Sequence, residues 1–291
     1  MSSLKEVRNN GLDKFYTMPS VSKNCILSLD NKMSIDSFDC IVEPSAGNGS
    51  FSLELNKLHR NVISLDIEPE NESIKKQDFF DFSIDRDDVN EDENQLSKNI
   101  LTIGNPPFGK ISSLAIKFFN HASSFSNVIA FIIPKTFRKD SVQRRLNLNF
   151  HLMHDEDIPD KPCSFIPKMN VKCCFQIWIK KDYKRLLKEK ILTHEDFKFI
   201  NFGPKDENNQ PTPPEGADFA IRAYGSNIGK IFTGDECLKS LRPKSYHWVK
   251  SNIDVEDLIK KFETLNYEKS INTARQCSIG KSELIELYVD K

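Results

Sequence analysis

The sequence predicts an open α/β sheet in its first half, followed by a small α+β appendage. Three observations point there. Short apolar runs, Ile41-Val42, Val62–Leu65, Ile100–Gly104 and Val128–Ile133, read as buried strands with helix-like segments between them. A glycine-containing turn, Glu43 to Ser50, joins the first strand to a helix that starts at Phe51. After residue 180 the texture changes. Residues 203–216 hold four prolines and two glycines, which marks a long loop, and residues 217–291 alternate short strands with a helix near Val255–Leu265. The expected domains are 1–185 and 186–291.

Composition bounds the function. The 291 residues are 38% hydrophobic and 29% charged, ordinary for a globular chain with a sizeable core. A net charge of −1 advertises no polyanion partner globally, though a local basic face remains compatible with one. The seven cysteines show no paired zinc-ligand spacing and read as buried, reduced thiols, so no metal is expected. No apolar run approaches the roughly 20 residues of a membrane helix, and Met1 to Glu6 lacks an apolar signal core. A soluble, intracellular protein is expected.

Taken in order, Asp13 to Pro19 carries Phe15 and Tyr16 just before a helix-like segment with apolar positions Val21, Cys25, Ile26 and Leu29. These aromatics can pin a terminal arm onto the core. In the turn from Glu43 to Ser50, glycines allow close backbone approach, and the following helix start offers free N–H groups. An acid at the strand end argues against phosphate and for a ligand with amine or hydroxyl donors. The loop has no Gly-Lys-Ser/Thr and no full G-x-G-x-x-G.

The next strand ends at Asp66, about 20 residues on, where a βαβ unit sets an acid against a ribose hydroxyl; Glu68 is a rival. Asp78 can accept from a ring amine while Phe79 flanks that ring, although a plain turn with two core phenylalanines would look the same. The run Asp85 to Asn94 is charged and apolar-poor, a solvated loop without calcium-loop spacing.

Asn105-Pro106-Pro107-Phe108 then stops the strand Ile100–Gly104. Two prolines fix φ and remove two donors, giving a stiff turn at a strand's carboxyl end, where open α/β sheets bind ligands. The turn offers an amide, prolyl carbonyls and one ring. After Pro134, Lys135, Arg138, Lys139, Arg144 and Arg145 cluster, either as a solvated basic helix or as phosphate contacts. Strands are expected at Phe150–Met153 and Cys173–Ile179. Between them, Pro162-Cys163 has the look of a thiol nucleophile for cytosine C5 chemistry, but that reading leaves the Asn105 turn unused.

Together these stretches resemble the S-adenosylmethionine-dependent amino methyltransferases of the adenine-N6 type, over roughly residues 13–180. The family's [N/D/S]-P-P-[F/Y/W] signature stands as Asn105, Pro106, Pro107 and Phe108. Its cofactor loop stands as Glu43, Pro44, Ser45, Ala46, Gly47, Asn48, Gly49, Ser50 and Phe51. Its ribose acid matches Asp66, and its Asp-Phe pair at the cofactor adenine matches Asp78 and Phe79. The element holding the cofactor's methionine end resembles Asp13 to Pro19, with Phe15, Tyr16 and Thr17 as contacts.

The resemblance implies a Rossmann-like, doubly wound methyltransferase sheet, S-adenosylmethionine as cofactor, and a nucleic acid, DNA favoured, as partner. It also implies a target-recognition region after the catalytic half. In such a site Asn105 and Pro106 accept the two N–H bonds of an adenine amine, and Phe108 stacks on a flipped-out base. Asn105 counts among the cofactor contacts as well. Phe165 is a candidate second stacking wall, and Lys135, Arg138 and Lys139 are candidate backbone contacts. The same chemistry on RNA is the nearest alternative. Glutamine methylation in a protein, whose enzymes carry an Asn-Pro-Pro-Tyr turn, and an inactive methyltransferase-like binding subunit stand further off.

Overall fold

The computed structural model describes residues 14–84 and 98–291; Asp13 and the acidic run after Ile84 lie outside that range. The chain divides into two compact units, Met1–Leu187 and Lys188–Lys291.

In the first unit the elements follow in chain order as β1 (Tyr16–Thr17), α1 (Pro19–Asp30), β2 (Cys40–Glu43), α2 (Ser52–Leu58), β3 (Val62–Asp66), β4 (Lys75–Lys76) and β5 (Ile100–Gly104). Then come α3 (Ser113–Ala122), β6 (Val128–Pro134), a single turn α4 (Asp140–Gln143), β7 (Phe150–Asp157), β8 (Phe165–Ile166) and β9 (Cys173–Lys180). Seven strands form one sheet in the order β4-β3-β2-β5-β6-β9-β7. Strands β4 to β6 run parallel, and β9 lies antiparallel between β6 and β7.

Both faces of this sheet are covered, and the period of two along each strand decides which residue goes where. Val42, Phe131 and Ile133 join the core on one face with Ala115, Ile116 and Phe119 of α3. Ile41, Ala130 and Ile132 join the other with Val21, Cys25, Ile26 and Leu29 of α1. The α1 set falls at i, i+4, i+5 and i+8, one helical stripe, and Pro19 pre-sets φ at the helix start. The expected doubly wound, Rossmann-like α/β sheet is therefore what the first unit contains.

From β2 the chain winds outward through β3 to β4, then crosses back to β5 on the other side of β2. The order reverses between β2 and β5, and a crevice opens at the carboxyl ends of strands at such a switch point. The glycine turn leaves β2 there, and Asn105 leaves β5 there.

The second unit is a four-stranded antiparallel sheet, β10 (Phe197–Ile200), β11 (Phe219–Arg222), β12 (Ile231–Thr233) and β13 (Tyr246–Ser251), in the order β10-β13-β11-β12. A short helix α5 (Asp235–Ser240) follows β12, and α6 (Val255–Glu263) and α7 (Lys281–Val289) follow β13. Phe197, Phe219, Ile221 and Val249 of the sheet pack with Leu258 and Phe262 of α6 and with Leu284 and Ile285 of α7. Ala220, Leu238, Tyr246 and Trp248 form a smaller cluster. This unit is the expected small α+β element.

Among the described residues no helix is long and apolar enough to cross a membrane, and no cluster of His, Cys, Asp or Glu could hold a metal ion. All seven cysteines are free; Cys25, Cys40, Cys173 and Cys174 are buried as expected, whereas Cys163 and Cys237 are exposed.

Candidate active site at the switch point

The two turns touch. The Ser45 hydroxyl donates to the Asn105 carbonyl at 3.1 Å. The side-chain nitrogen of Asn105 donates to the Phe15 carbonyl (3.3 Å) and to Thr17 Oγ1 (3.1 Å). A carbonyl can only accept, so Phe15 fixes which way the amide faces. The consequence lies at the other end: Asn105 Oδ1 is buried and has no hydrogen-bond partner. An orphaned buried acceptor costs about 1–3 kcal/mol, so this oxygen calls for a donor that the protein does not supply.

The rest of the turn is fixed from both sides. Pro106 is buried, and Phe108 packs half-buried between the two core clusters. The Phe108 carbonyl accepts from the backbones of Leu114 and Ala115 at the start of α3. Ile111 and Ser112 adopt left-handed φ of 53° and 58°, and Ile111 is 80% exposed. A β-branched residue in that region is a strained outlier of the kind that collects at functional turns. Nothing in the sequence announced it.

The N-terminal segment is held across the turns. Tyr16 and Thr17 in β1 pair antiparallel with Ile166 and Phe165 in β8. The Thr17 carbonyl accepts from Ser50 at 2.7 Å. The Tyr16 ring lies on Gly47: a Cβ there would come within 2.9 Å of two ring carbons, and its φ of +55° is one L side chains rarely adopt. The Tyr16 hydroxyl donates to Glu70.

Asp66 ties the glycine turn to the end of β3, one oxygen on each. Oδ2 accepts from Gly47 N–H and Oδ1 from Glu68 N–H, each at 2.8 Å. Its rival Glu68 is paired with Lys14 at 2.8 Å. Ala46 N–H donates to Leu65, and Gly49 N–H closes back on Ala46. Pro44 lies beside Gly104, where a Cβ would meet its ring at 3.6 Å.

Glu43 is 1% exposed and accepts from Ser52, whose hydroxyl also lies 2.6 Å from Ser64 Oγ. Burial pushes its pKa up to about 8, against the Ser52 hydrogen bond that lowers it. Burial thus favours the protonated form of Glu43.

Three expectations need correction. Phe79 does not flank an open site: its ring is 2% exposed, stacked on Phe118 with centroids 5.1 Å apart and edge-on to His121 at 4.8 Å. Asp78 caps the turn at Phe80 N–H, 2.9 Å away. Phe165 is 5% exposed and belongs to the core, so its ring offers no face to a base. Lys135 and Arg138 do not form a solvated basic face: Lys135 reaches Asp157 at 2.6 Å, and Arg138 forks onto Asp155 and Asp157. Lys139 is half-buried at the entry to α4. The sequence also missed Gln77, between Asp66 and Asp78, whose buried Oε1 has no partner. Cys163 turns its thiol back onto the Phe165 carbonyl at 3.0 Å.

No protein-family profile and no curated protein matches the chain. Several solved structures share part of its backbone. One is a Pyrococcus horikoshii protein provisionally named an RNA methyltransferase (16% identity, TM-score 0.42, 58% of this chain and 88% of that one). Another is the 23S rRNA methyltransferase ErmE (12% identity, TM-score 0.40, 59% and 71%). A third is a type I restriction-modification methyltransferase subunit from Streptococcus thermophilus (13% identity, TM-score 0.37, 94% and 57%). Likeness at this level is partial, so activity and substrate are argued from the site itself.

The residues at the switch point fit S-adenosylmethionine. Asp66 retains lone pairs for ribose hydroxyls, Gly47 and Gly49 keep backbone close to the crevice, and Glu43 places a buried carboxyl at the end of β2. The orphaned Asn105 Oδ1 faces no protein donor.

Proposed function

We propose that this chain transfers the methyl group of S-adenosylmethionine to the exocyclic N6 of adenine in nucleic acid, with DNA as the polymer. The observation that carries the reading is the buried, unpartnered Asn105 Oδ1 on a Pro-Pro turn at the switch point. Phe15, Tyr16, Thr17, Glu43, Pro44, Ala46, Gly47, Gly49, Asp66, Asp78 and the backbone of Phe79 hold the cofactor. When bound, it supplies an electrophilic methyl on a sulfonium.

An adenine amine is a poor nucleophile because its lone pair is delocalised into the ring. Asn105 Oδ1 and the Pro106 carbonyl accept its two N–H bonds, which draws the nitrogen toward sp³ and frees that pair. Phe15 and Thr17 keep the Asn105 amide from turning, so the acceptor stands ready before the base arrives. Phe108 lies against the ring of the base, and the stiffness of Pro106 and Pro107 holds the geometry. The new N–C bond would form as the methyl–sulfur bond breaks, its electron pair staying on sulfur, and the methylated amine would give up one proton to water. The second unit serves target recognition.

The test is transfer of a labelled methyl to duplex DNA, single-stranded DNA and RNA, with the product base identified by mass spectrometry. N6-methyladenine in DNA is expected. Label confined to RNA would overturn the choice of polymer, and label on a protein amide would overturn the substrate class. Asp66→Ala should weaken cofactor affinity about tenfold or more, since a hydrogen bond to a charged group, worth about 1.5–3 kcal/mol, holds the loop at Gly47, while transfer at saturating cofactor persists. Calorimetry of cofactor binding alongside turnover checks this split.

A further inference from the structure

A depression of about 380 Å³ lies wholly within the second unit, in the size range of small-molecule clefts, about 300–1,000 Å³. The ends of β10 and β11, the start of β13 and the start of α7 line it. Trp248 and Tyr246 form its buried base; the Trp248 indole N–H is committed to the Pro243 carbonyl. Phe202 and Tyr224 stand at its wall, each 47% exposed. Neither ring has a ring partner among the described residues.

Its charge is one-sided. Lys244 and Lys281 line it, and no carboxylate does. Lys244 Nζ donates to the neutral amide of Gln210 at 3.0 Å. Lys281 Nζ lies 5.2 Å from the centre of the Phe199 ring. Neither forms an ion pair among the described residues. Lys281 is also the first residue of a nine-residue helix, whose amino end is capped by Glu283, the carboxylate accepting from Gly280 N–H at 2.7 Å.

Two solvent-facing rings without ring partners, beside two cations without an ion-pair partner among the described residues, match a ligand that is flat and anionic at once. We infer that this depression binds an unpaired nucleotide of a nucleic-acid strand, with the base against Phe202 and Tyr224 and the phosphate at Lys244 and Lys281. The inference rests on the reading that the substrate is a nucleic acid. It gives the second unit a specific task, gripping a single-stranded or opened stretch by stacking and backbone charge. An acidic peptide would satisfy the lysines but leave the rings exposed.

The test uses the full chain and fluorescent oligonucleotides of one sequence, as single-stranded DNA, single-stranded RNA and duplex DNA, read by anisotropy. Phe202→Ala with Tyr224→Ala should weaken single-strand binding at least tenfold. Phe202→Tyr with Tyr224→Phe, which keep the rings, should restore it. Lys244→Gln with Lys281→Gln should lower the slope of log affinity against log salt by about 0.7, the value for one phosphate contact on a single strand. Tighter binding of either single strand supports the site and names its polymer.

Unchanged binding in the ring variants, or no binding of any oligonucleotide by the wild type, overturns it. All four side chains are exposed or half-exposed, and cofactor affinity measured in the same variants should not change. If oligonucleotides bind as expected but no methyl is transferred, the proposed reaction fails and the pocket stands. If methyl is transferred and the ring variants bind like wild type, the pocket fails and the reaction stands.

Discussion

Asn105 divides its amide between two tasks. Its nitrogen ties down the N-terminal segment through Phe15 and Thr17, and its oxygen is left for a ligand. Asn105→Ala removes both. Two neutral hydrogen bonds at about 0.5–1.5 kcal/mol each limit the loss of cofactor affinity to about 10²-fold. The lost acceptor should reduce transfer by about 10²-fold or more, as for other preorganised catalytic hydrogen bonds.

Glu43 gives a pH signature. Its folded pKa of about 8 lies above the ordinary 4.5. The folded state therefore keeps a proton that the unfolded chain releases as pH rises through about 4.5 to 8. Stability contributed by that proton is complete below the lower value and gone above the upper one. Glu43→Gln should remove this slope, with a gain in thermal stability that grows from pH 5 to pH 8.5 and is of the order of a few kcal/mol; melting curves across that range check it. A gain independent of pH would show that Glu43 is ionised in the fold.

The Asn-Pro-Pro-Phe signature and the acids at strand ends were legible as residue types. Which atom of Asn105 is free was not, because its partners lie about 90 positions away in sequence. Phe79 and Phe165 failed for a related reason: an aromatic next to a motif shows no sign of which face the core will claim.

Among the elements, β7 changes the reading of the basic cluster. Asp155 and Asp157 are two apart on this strand, so both point to the same side, and there they meet Lys135 and Arg138. Gln176 and Trp178 of β9 extend the network behind Asp155. From sequence alone the cations looked free, because their counter-charges lie on a strand whose register shifts between Leu152 and His154. Arg138→Ala should cost about 1–3 kcal/mol of stability by stripping partners from two carboxylates. It should leave the salt dependence of nucleic-acid binding unchanged. A slope reduced by one phosphate contact, with unaltered melting, would return Arg138 to the nucleic-acid interface.

The β1–β8 pairing is also an element-scale finding. The aromatic arm was expected to lie on the core, but its partner strand is only two residues long and carries no periodic signal.

For the molecule as a whole, the alternation of apolar runs and helices made the doubly wound sheet readable, because parallel strands buried on both faces are apolar without interruption. The antiparallel insertion of β9 was not readable, since strand order depends on contacts far apart in sequence. The second unit has its own core around Phe197, Phe219, Leu258, Phe262 and Leu284. Residues 188–291 made alone should therefore fold, with a cooperative thermal transition and a near-ultraviolet dichroism signal from buried aromatics. Loss of both would show that this core depends on the first unit.

The central claim is that the switch-point turn presents one free acceptor to an adenine amine. The direct measurement is methyl transfer to adenine N6 in oligonucleotides at saturating cofactor, comparing wild type with Asn105→Ala. The account predicts N6-methyladenine from the wild type and a loss of about 10²-fold or more in the variant, with cofactor still bound. Equal transfer by both proteins would contradict it.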